Sequence, residues 1–183
     1  MQVRIKVKML HSNRRTEIDL PIRHFIQLGK ATMMPTDRKY PKPLNEAIEK
    51  TMKANRSKNT RPEQIARKVL REKGFPGYRL NWKKAPGKPD IAYPGKKIAI
   101  FINGCFWHRC PICDMPLPKT HQDYWKPKFE KNMARDQNNY AELQAKGWTT
   151  IVIWECQIKN NAENAMKPAI DAINNNSNKC NKA

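Results

Sequence analysis

The sequence predicts an α/β protein in which a mixed central sheet is flanked by helices, and three observations carry that prediction. Asp90 opens a short apolar run, Pro94-Gly95-Lys96-Lys97 supplies a turn, and Ile98 to Ile102 forms a second, β-branched run; together they read as a hairpin. Trp148 to Glu155 is a second strongly strand-prone stretch with a central apolar run. Helical spacing recurs around these strands, at Ile65, Val69 and Leu70, at Phe129, Met133, Tyr140 and Leu143, and at Ala165, Met166, Ala169, Ile170 and Ile173. The 183 residues suffice for one domain with an adequate core, and no internal repeat is visible.

In chain order, Val3, Ile5, Val7 and Met9 alternate with Arg4, Lys6 and Lys8, His11 to Arg14 suggests a turn, and Ile18, Leu20 and Ile22 resume the alternation. This reads as a basic hairpin with one apolar face. Residues 30 to 45 are rich in Pro and Lys and read as a linker. Residues 1–45 are thus a basic extension: either an accessory arm for DNA or a partner, or an extra edge hairpin on the main sheet. Residues 46–59 carry Lys50, Lys53, Arg56 and Lys58 without a strong apolar stripe. Such a charge run is ordinarily a solvated face, and its basic residues also suit a phosphate-tracking arm.

Thr60-Arg61-Pro62-Glu63 forms a capping box that opens the next helix, and Gly74 closes it. Leu80-Asn81-Trp82 reads as a strand leading into the hairpin. Pro116 and Pro118 mark a loop. A helix is expected over Lys128–Lys146 with Gly147 just past its end, and another over Ala162–Ile173, followed by a frayed Asn-rich tail holding Cys180. The expected division is an extension at 1–45, a main domain at 46–160, and a terminal helix with flexible tail at 161–183.

Net charge is +20, from 36 Lys+Arg against 16 Asp+Glu. That excess argues for a polyanionic partner, nucleic acid before anionic membrane. No run of eighteen apolar residues exists, and the N-terminus lacks the continuous apolar core of a signal peptide, so a cytoplasmic, nucleoid-associated location is expected. Five cysteines are too few and too clustered for a disulfide scaffold. Cys105, Cys110 and Cys113 form a Cys-x4-Cys-x2-Cys set, and Cys156 adds a fourth sulfur. Four thiolates suit a closed, structural Zn²⁺ site; His108 is an alternative ligand in place of one cysteine. If the hairpin turn centres on Gly95-Lys96, Asp90 lies opposite Phe101 and Ile102. Its carboxylate can then share a divalent cation with a backbone carbonyl of the second strand, through the hard oxygen ligands that Mg²⁺ prefers.

Several separated motifs resemble one family. Gly87-Lys-Pro-Asp90 and Phe101-x-x-Gly104-Cys105-Phe106-Trp107-His108 are similar to the very-short-patch-repair (Vsr) mismatch endonucleases. So, in the same order, are Ser57-Lys58-Asn59-Thr60-x-x-Glu63 upstream, then Tyr124-Trp125, Lys131-Asn132-x-x-Arg135-Asp136, Gly147-Trp148 and Trp154-Glu155-Cys156. The resemblance spans roughly residues 50 to 158 and leaves both ends of the chain uncovered. It implies a restriction-endonuclease-like core and a Mg²⁺-dependent endonuclease that nicks one strand of double-stranded DNA at a T·G mismatch.

The resemblance also implies roles. Asp90 and the Ile102 carbonyl would hold Mg²⁺, His108 would act as general base, Asp136 would orient its imidazole, and Glu63 would be an acidic residue near the active site. An imidazole titrates near neutral pH, which suits a base. Phe106, Trp107 and Trp125 would wedge into the base stack beside the mismatch, and the segment with Lys53, Arg56 and Lys58 would lie along DNA. Trp148 and Trp154 read as core. Two departures stand out. Cys110 occupies a position that is often His, a change that preserves ligation. Asn103 occupies a position that is commonly an active-site His or Asp, and Asn cannot transfer a proton. One strand cut per binding event would suit a monomer, with a repair protein as a possible partner. The alternatives are a restriction-type endonuclease cutting a specific unmismatched sequence, and a catalytically idle zinc-dependent DNA-binding module.

Overall fold

In the computed structural model, which describes residues 4–11, 14–21, 43 and 45–180, the chain divides into two units, Met1–Lys39 and Tyr40–Ala183. In the first unit, β1 (Arg4–His11) and β2 (Arg14–Pro21) pair antiparallel. The register sets Ile5 opposite Leu20 and Val7 opposite Ile18, which keeps the alternating residues of the two strands in step. Val3, Ser12, Asn13 and Ile22 lie outside the described residues, as does the expected linker at 30–45 apart from residues 43 and 45.

The second unit is built on a four-stranded sheet of order β3-β4-β5-β6. Its strands are β3 (Arg79–Leu80), β4 (Ile91–Tyr93), β5 (Ile98–Asn103) and β6 (Thr149–Trp154). The first two pairings are antiparallel and the third is parallel, so the sheet is mixed as predicted. All six residues of β5 are buried, because both faces of the strand are covered. Ile98, Ile100 and Ile102 point into one core with α2 (Arg61–Glu72), α4 (Glu155–Asn160) and α5 (Ala162–Cys180). Ala99 and Phe101 point the other way, to Leu143 of α3 (Gln122–Ala145) and to Tyr140, Trp82 and Trp148.

The local signals hold where they are chemically explicit. The turn between β4 and β5 spans Pro94 to Lys97, with Lys97 left-handed at φ 49°. The Thr60 hydroxyl accepts from the Glu63 amide, and the Glu63 carboxylate reaches back to the Thr60 amide, completing the capping box. At the other end of α2, Gly74 adopts φ +84° and Phe75 N–H donates to Leu70 O at 2.8 Å. The same arrangement closes α3, with Gly147 at φ +73° and Trp148 N–H on Leu143 O at 2.9 Å.

Other elements differ from expectation. The strand expected at Leu80–Trp82 is Arg79–Leu80 only, because Asn81 turns left-handed at φ 44°. The helix expected from Lys128 begins six residues earlier, at Gln122, and carries Pro127 inside it. Pro127 forfeits one backbone hydrogen bond, but aromatic packing of Trp125 and Phe129 holds the turn together. β6 stops at Trp154, and Glu155 opens the short helix α4, whose start is capped by the Gln157 side chain on Trp154 N–H at 2.9 Å. The terminal helix does not stop at Ile173 but continues through the Asn-rich tail to Cys180; Asn176 Nδ2 donates to the Lys96 carbonyl at 3.2 Å. Trp148 and Trp154 are half-buried rather than fully core. Residues 46–59 hold α1 (Glu46–Ala54), on and beyond which Lys53, Arg56 and Lys58 are exposed.

Candidate active site and cysteine cluster

The turn at Gly87 and Lys88, both left-handed (φ 70° and 51°), delivers Asp90 to the start of β4. A side chain at Gly87 would meet Asn139 of α3 at 3.0 Å, so the turn also needs the missing Cβ. Extending the β4–β5 register by one step sets Asp90 beside Phe101, and the Ile102 amide donates to Asp90 Oδ2 at 2.8 Å. Burial raises the Asp90 carboxyl pKa to about 6. The Ile102 amide opposes that rise, the nearby Glu63 charge adds to it, and His108 lowers it. Asp90, Glu63 and His108 therefore share one electrostatic neighbourhood.

Glu63 is buried, and its carboxylate is already engaged. It accepts from the Asn59 amide at 3.0 Å, the Thr60 hydroxyl at 2.8 Å and the Thr60 amide at 3.3 Å. His108 Nδ1 is in close contact with Asp136 Oδ2, while Arg135 donates to the other Asp136 oxygen at 3.2 Å. A carboxylate partner on Nδ1 makes that nitrogen the protonated one, which leaves the lone pair on Nε2. Such a ring can accept a proton at Nε2 while Asp136 steadies the charge that forms. Asn103 is buried and donates its Nδ2–H to the Tyr140 hydroxyl at 3.1 Å. Burial pushes the Tyr140 phenol upward, and the Asp136 and Asp90 charges push the same way.

The sulfur atoms of Cys105, Cys110, Cys113 and Cys156 all lie within 4.8 Å of one another. Zinc–sulfur bonds of about 2.3 Å set tetrahedral sulfurs about 3.8 Å apart, and Cys110 Sγ stands 3.7 Å from Cys156 Sγ. The donor set therefore fits a soft tetrahedral cation held by four thiolates. Burial favours the protonated thiol at Cys105, and pushes Cys156 up to about 11. Contact with Cys156 lowers the exposed Cys113. Asp90 fits a hard cation instead: a half-buried oxygen ligand with another carboxylate nearby.

Phe106 and Trp107 lie in sequence between Cys105 and His108 and belong to an aromatic cluster. Phe106 packs edge-on against Trp107, Trp125 and Phe129, each at 5.2 Å between ring centres. Phe106, Trp107 and Trp125 are all half-buried, so the cluster is neither core nor free surface. Arg109 caps it, with its guanidinium 5.1 Å from the Phe129 ring centre.

The structure thus brings together Asp90, Glu63, His108, Asp136 and Asn103, the four cysteines, and the three aromatic residues. Three further residues join them, each in a contact that motif and periodicity do not specify. Asn132 is buried and donates to the Trp107 carbonyl at 3.1 Å. Glu155 accepts from the Cys105 amide at 3.4 Å, tying the metal loop to α4. Tyr140 reaches Asn103. Asn132 and Glu155 fall within the motifs and Tyr140 within the helical spacing, but none of those signals tells what each side chain contacts.

Comparison with known proteins gives a consistent picture. Residues 44–112 match the family model described as DNA mismatch endonuclease Vsr. The chain is 46% identical over 107 residues to the type II nicking enzyme V.XorIIP of Xanthomonas oryzae pv. oryzae, covering 58% of this chain and 78% of that protein. It is 44% identical over 106 residues to the type II nicking enzyme V.NmeAIP of Neisseria meningitidis, covering 58% and 75%. It is 31% identical over 110 residues to the DNA mismatch endonuclease Vsr of Escherichia coli, covering 60% and 70%. Among the described residues no helix is long and apolar enough to cross a membrane.

Proposed function

The chain belongs to the Vsr DNA mismatch endonuclease family, and from that premise we propose that it nicks one strand of double-stranded DNA at a T·G mismatch by Mg²⁺-dependent phosphodiester hydrolysis. The observation that carries this reading is the contact of His108 Nδ1 with Asp136 in the same neighbourhood as half-buried Asp90. His108 Nε2 takes the proton of the attacking water, and Asp136, braced by Arg135, stabilises the imidazolium that results. Asp90 and the Ile102 carbonyl would hold the Mg²⁺, which would supply Lewis-acid polarisation of the phosphoryl group and charge stabilisation for the leaving oxygen. Glu63 contributes a fixed negative charge beside Asp90 while capping α2. Asn103 transfers no proton and serves to position its neighbours.

Exposed Lys53, Arg56 and Lys58 follow the phosphate backbone, and the +20 net charge supports that contact. Phe106, Trp107 and Trp125 enter the base stack where pairing is already weak. The four cysteines would hold Zn²⁺, which would fix the loop that carries Phe106, Trp107 and His108. The mixed sheet covered by helices on both faces supports a restriction-endonuclease-like core, acting as a monomer. Residues 1–45 are read as a separate extension for DNA or a repair partner.

The test is a nicking assay with Mg²⁺ on end-labelled duplexes that differ only by a T·G pair. The expected result is a single-strand nick confined to the mismatched duplex, lost in His108→Ala. Equal cutting of the matched duplex, or cutting of both strands, overturns the mismatch reading in favour of a restriction-type enzyme.

A further inference from the structure

Tyr140 sits one helical turn beyond Asp136 on α3, so both side chains leave the same face of that helix. Its ring packs on Phe101 at 5.1 Å between centres, which fixes the phenol against β5. Asn103, only 5% exposed at the end of that strand, donates its amide hydrogen to the phenolic oxygen at 3.1 Å. That bond has a directional consequence. An amide N–H occupies the acceptor side of the oxygen, so the phenolic proton has to be given to something else. Among the described residues, no carbonyl or carboxylate is hydrogen-bonded to receive it. The carboxylates within electrostatic reach of the hydroxyl are Asp136 and Asp90, the two acids of the proposed hydrolytic centre. A donor with its proton uncommitted therefore shares the neighbourhood of those two acids.

We infer that Tyr140 is a catalytic residue whose hydroxyl, oriented by Asn103, donates a hydrogen bond to a non-bridging oxygen of the scissile phosphate. The inference rests on reading Asp90, His108 and Asp136 as the hydrolytic centre. A phenol is neutral at pH 7, so it donates without adding charge and without losing its proton. No bond to hydrogen breaks; the contact strengthens as negative charge gathers on the phosphoryl oxygens during attack. It also gives Asn103 a duty suited to its chemistry, since an amide that cannot transfer a proton can still aim one.

The experiment uses the full chain, Mg²⁺ and a T·G duplex under single-turnover conditions. Tyr140→Phe keeps the ring on Phe101 and removes only the hydroxyl. The nicking rate at saturating DNA is expected to fall about ten- to a hundredfold, with the DNA dissociation constant unchanged. Because this variant also strips Asn103 of its partner, a second one is needed: 3-fluorotyrosine at position 140 keeps size and hydrogen bond but makes the phenol a stronger donor. Its rate is expected to exceed that of the wild type at pH 6.5, whereas a purely structural hydroxyl leaves it the same. Adding Asn103→Ala to Tyr140→Phe is expected to lower the rate little further, since the amide acts through the hydroxyl. A wild-type rate in Tyr140→Phe, a loss confined to DNA affinity, or no response to fluorination overturns the inference. A wild-type protein that does not nick at all overturns the centre itself, and the inference with it.

Discussion

The cysteine cluster and the acidic centre both adjoin the end of β5, yet the protein completes one and leaves the other open. Around the sulfurs everything is closed: four donors surround one point, Cys156 N–H donates to Cys105 Sγ at 3.3 Å, and Glu155 holds the Cys105 amide. Around Asp90, burial and the Glu63 charge raise the energy of the ionised form by more than the Ile102 amide and His108 relieve it. A closed donor set couples metal binding to folding, and an open one keeps positions for substrate. The two sites should therefore move stability in opposite directions when they are disabled.

The largest effect is expected at Asp90. Asp90→Asn keeps an acceptor for the Ile102 amide but removes the carboxylate, and nicking should fall by about a thousandfold or more. Unfolding of this variant in Mg²⁺-free buffer should nevertheless show a higher midpoint at pH 7 than the wild type. A lower midpoint would mean that Asp90 is a structural group. Cys110→Ser is expected to do the reverse. It should lose bound zinc, measured by metal analysis, and lower the thermal midpoint by about 10 °C or more, since metal affinity is folding free energy here. A well-folded, zinc-free wild type would break the contrast.

The pH dependence sharpens it. The Asp90 carboxyl has a pKa of 3.8 when unperturbed and about 6 in the folded protein. Between those values the folded state binds more protons than the unfolded state, so stability falls as pH rises. Its contribution is fully present below pH 3.8 and is lost as pH passes 6. In Mg²⁺-free buffer the wild type should lose on the order of 2 kcal/mol across that window relative to Asp90→Asn, in paired urea unfolding curves. Parallel pH profiles for the two proteins would contradict this assignment. The smallest effect concerns discrimination. Trp107→Ala should cost about tenfold in preference for T·G over matched duplex, as loss of one stacking contact predicts, while the steep salt dependence of general affinity stays the same. Full mismatch preference in that variant would move the wedge elsewhere.

What could be read in advance was whatever depends on a few neighbouring residues. The turn at Pro94–Lys97, the Thr60–Glu63 box and the glycines after α2 and α3 are local chemistry, and they behave as such. The cysteine set was legible because three of its members lie within nine residues of one another. The early start of α3 was not, because Pro127 locally argues for a stop and is overruled by aromatic contacts made in three dimensions. The short helix α4 escaped for a related reason: its support comes from the Gln157 cap and burial of Ile158, not from propensity. Tyr140 was legible as an apolar position at helical spacing, but periodicity carries no record of where a hydroxyl ends up. Only the meeting of α3 with the end of β5 brings it to Asn103.

The parallel pairing of β5 with β6 acts as a length gauge. Asn103 lies opposite Trp154, and Cys105 and Cys156 each stand two residues beyond that pair, so equal overhangs bring two sulfurs to one place. Inserting or deleting one residue in either strand would slide its cysteine by about 3.3 Å and turn every following side chain to the other face. A substitution along these strands acts at its own position, whereas a change of length in either displaces a member of the cysteine cluster. The mostly exposed stretch between Cys113 and His121 spans no such pair, and that is where the chain can grow or shrink.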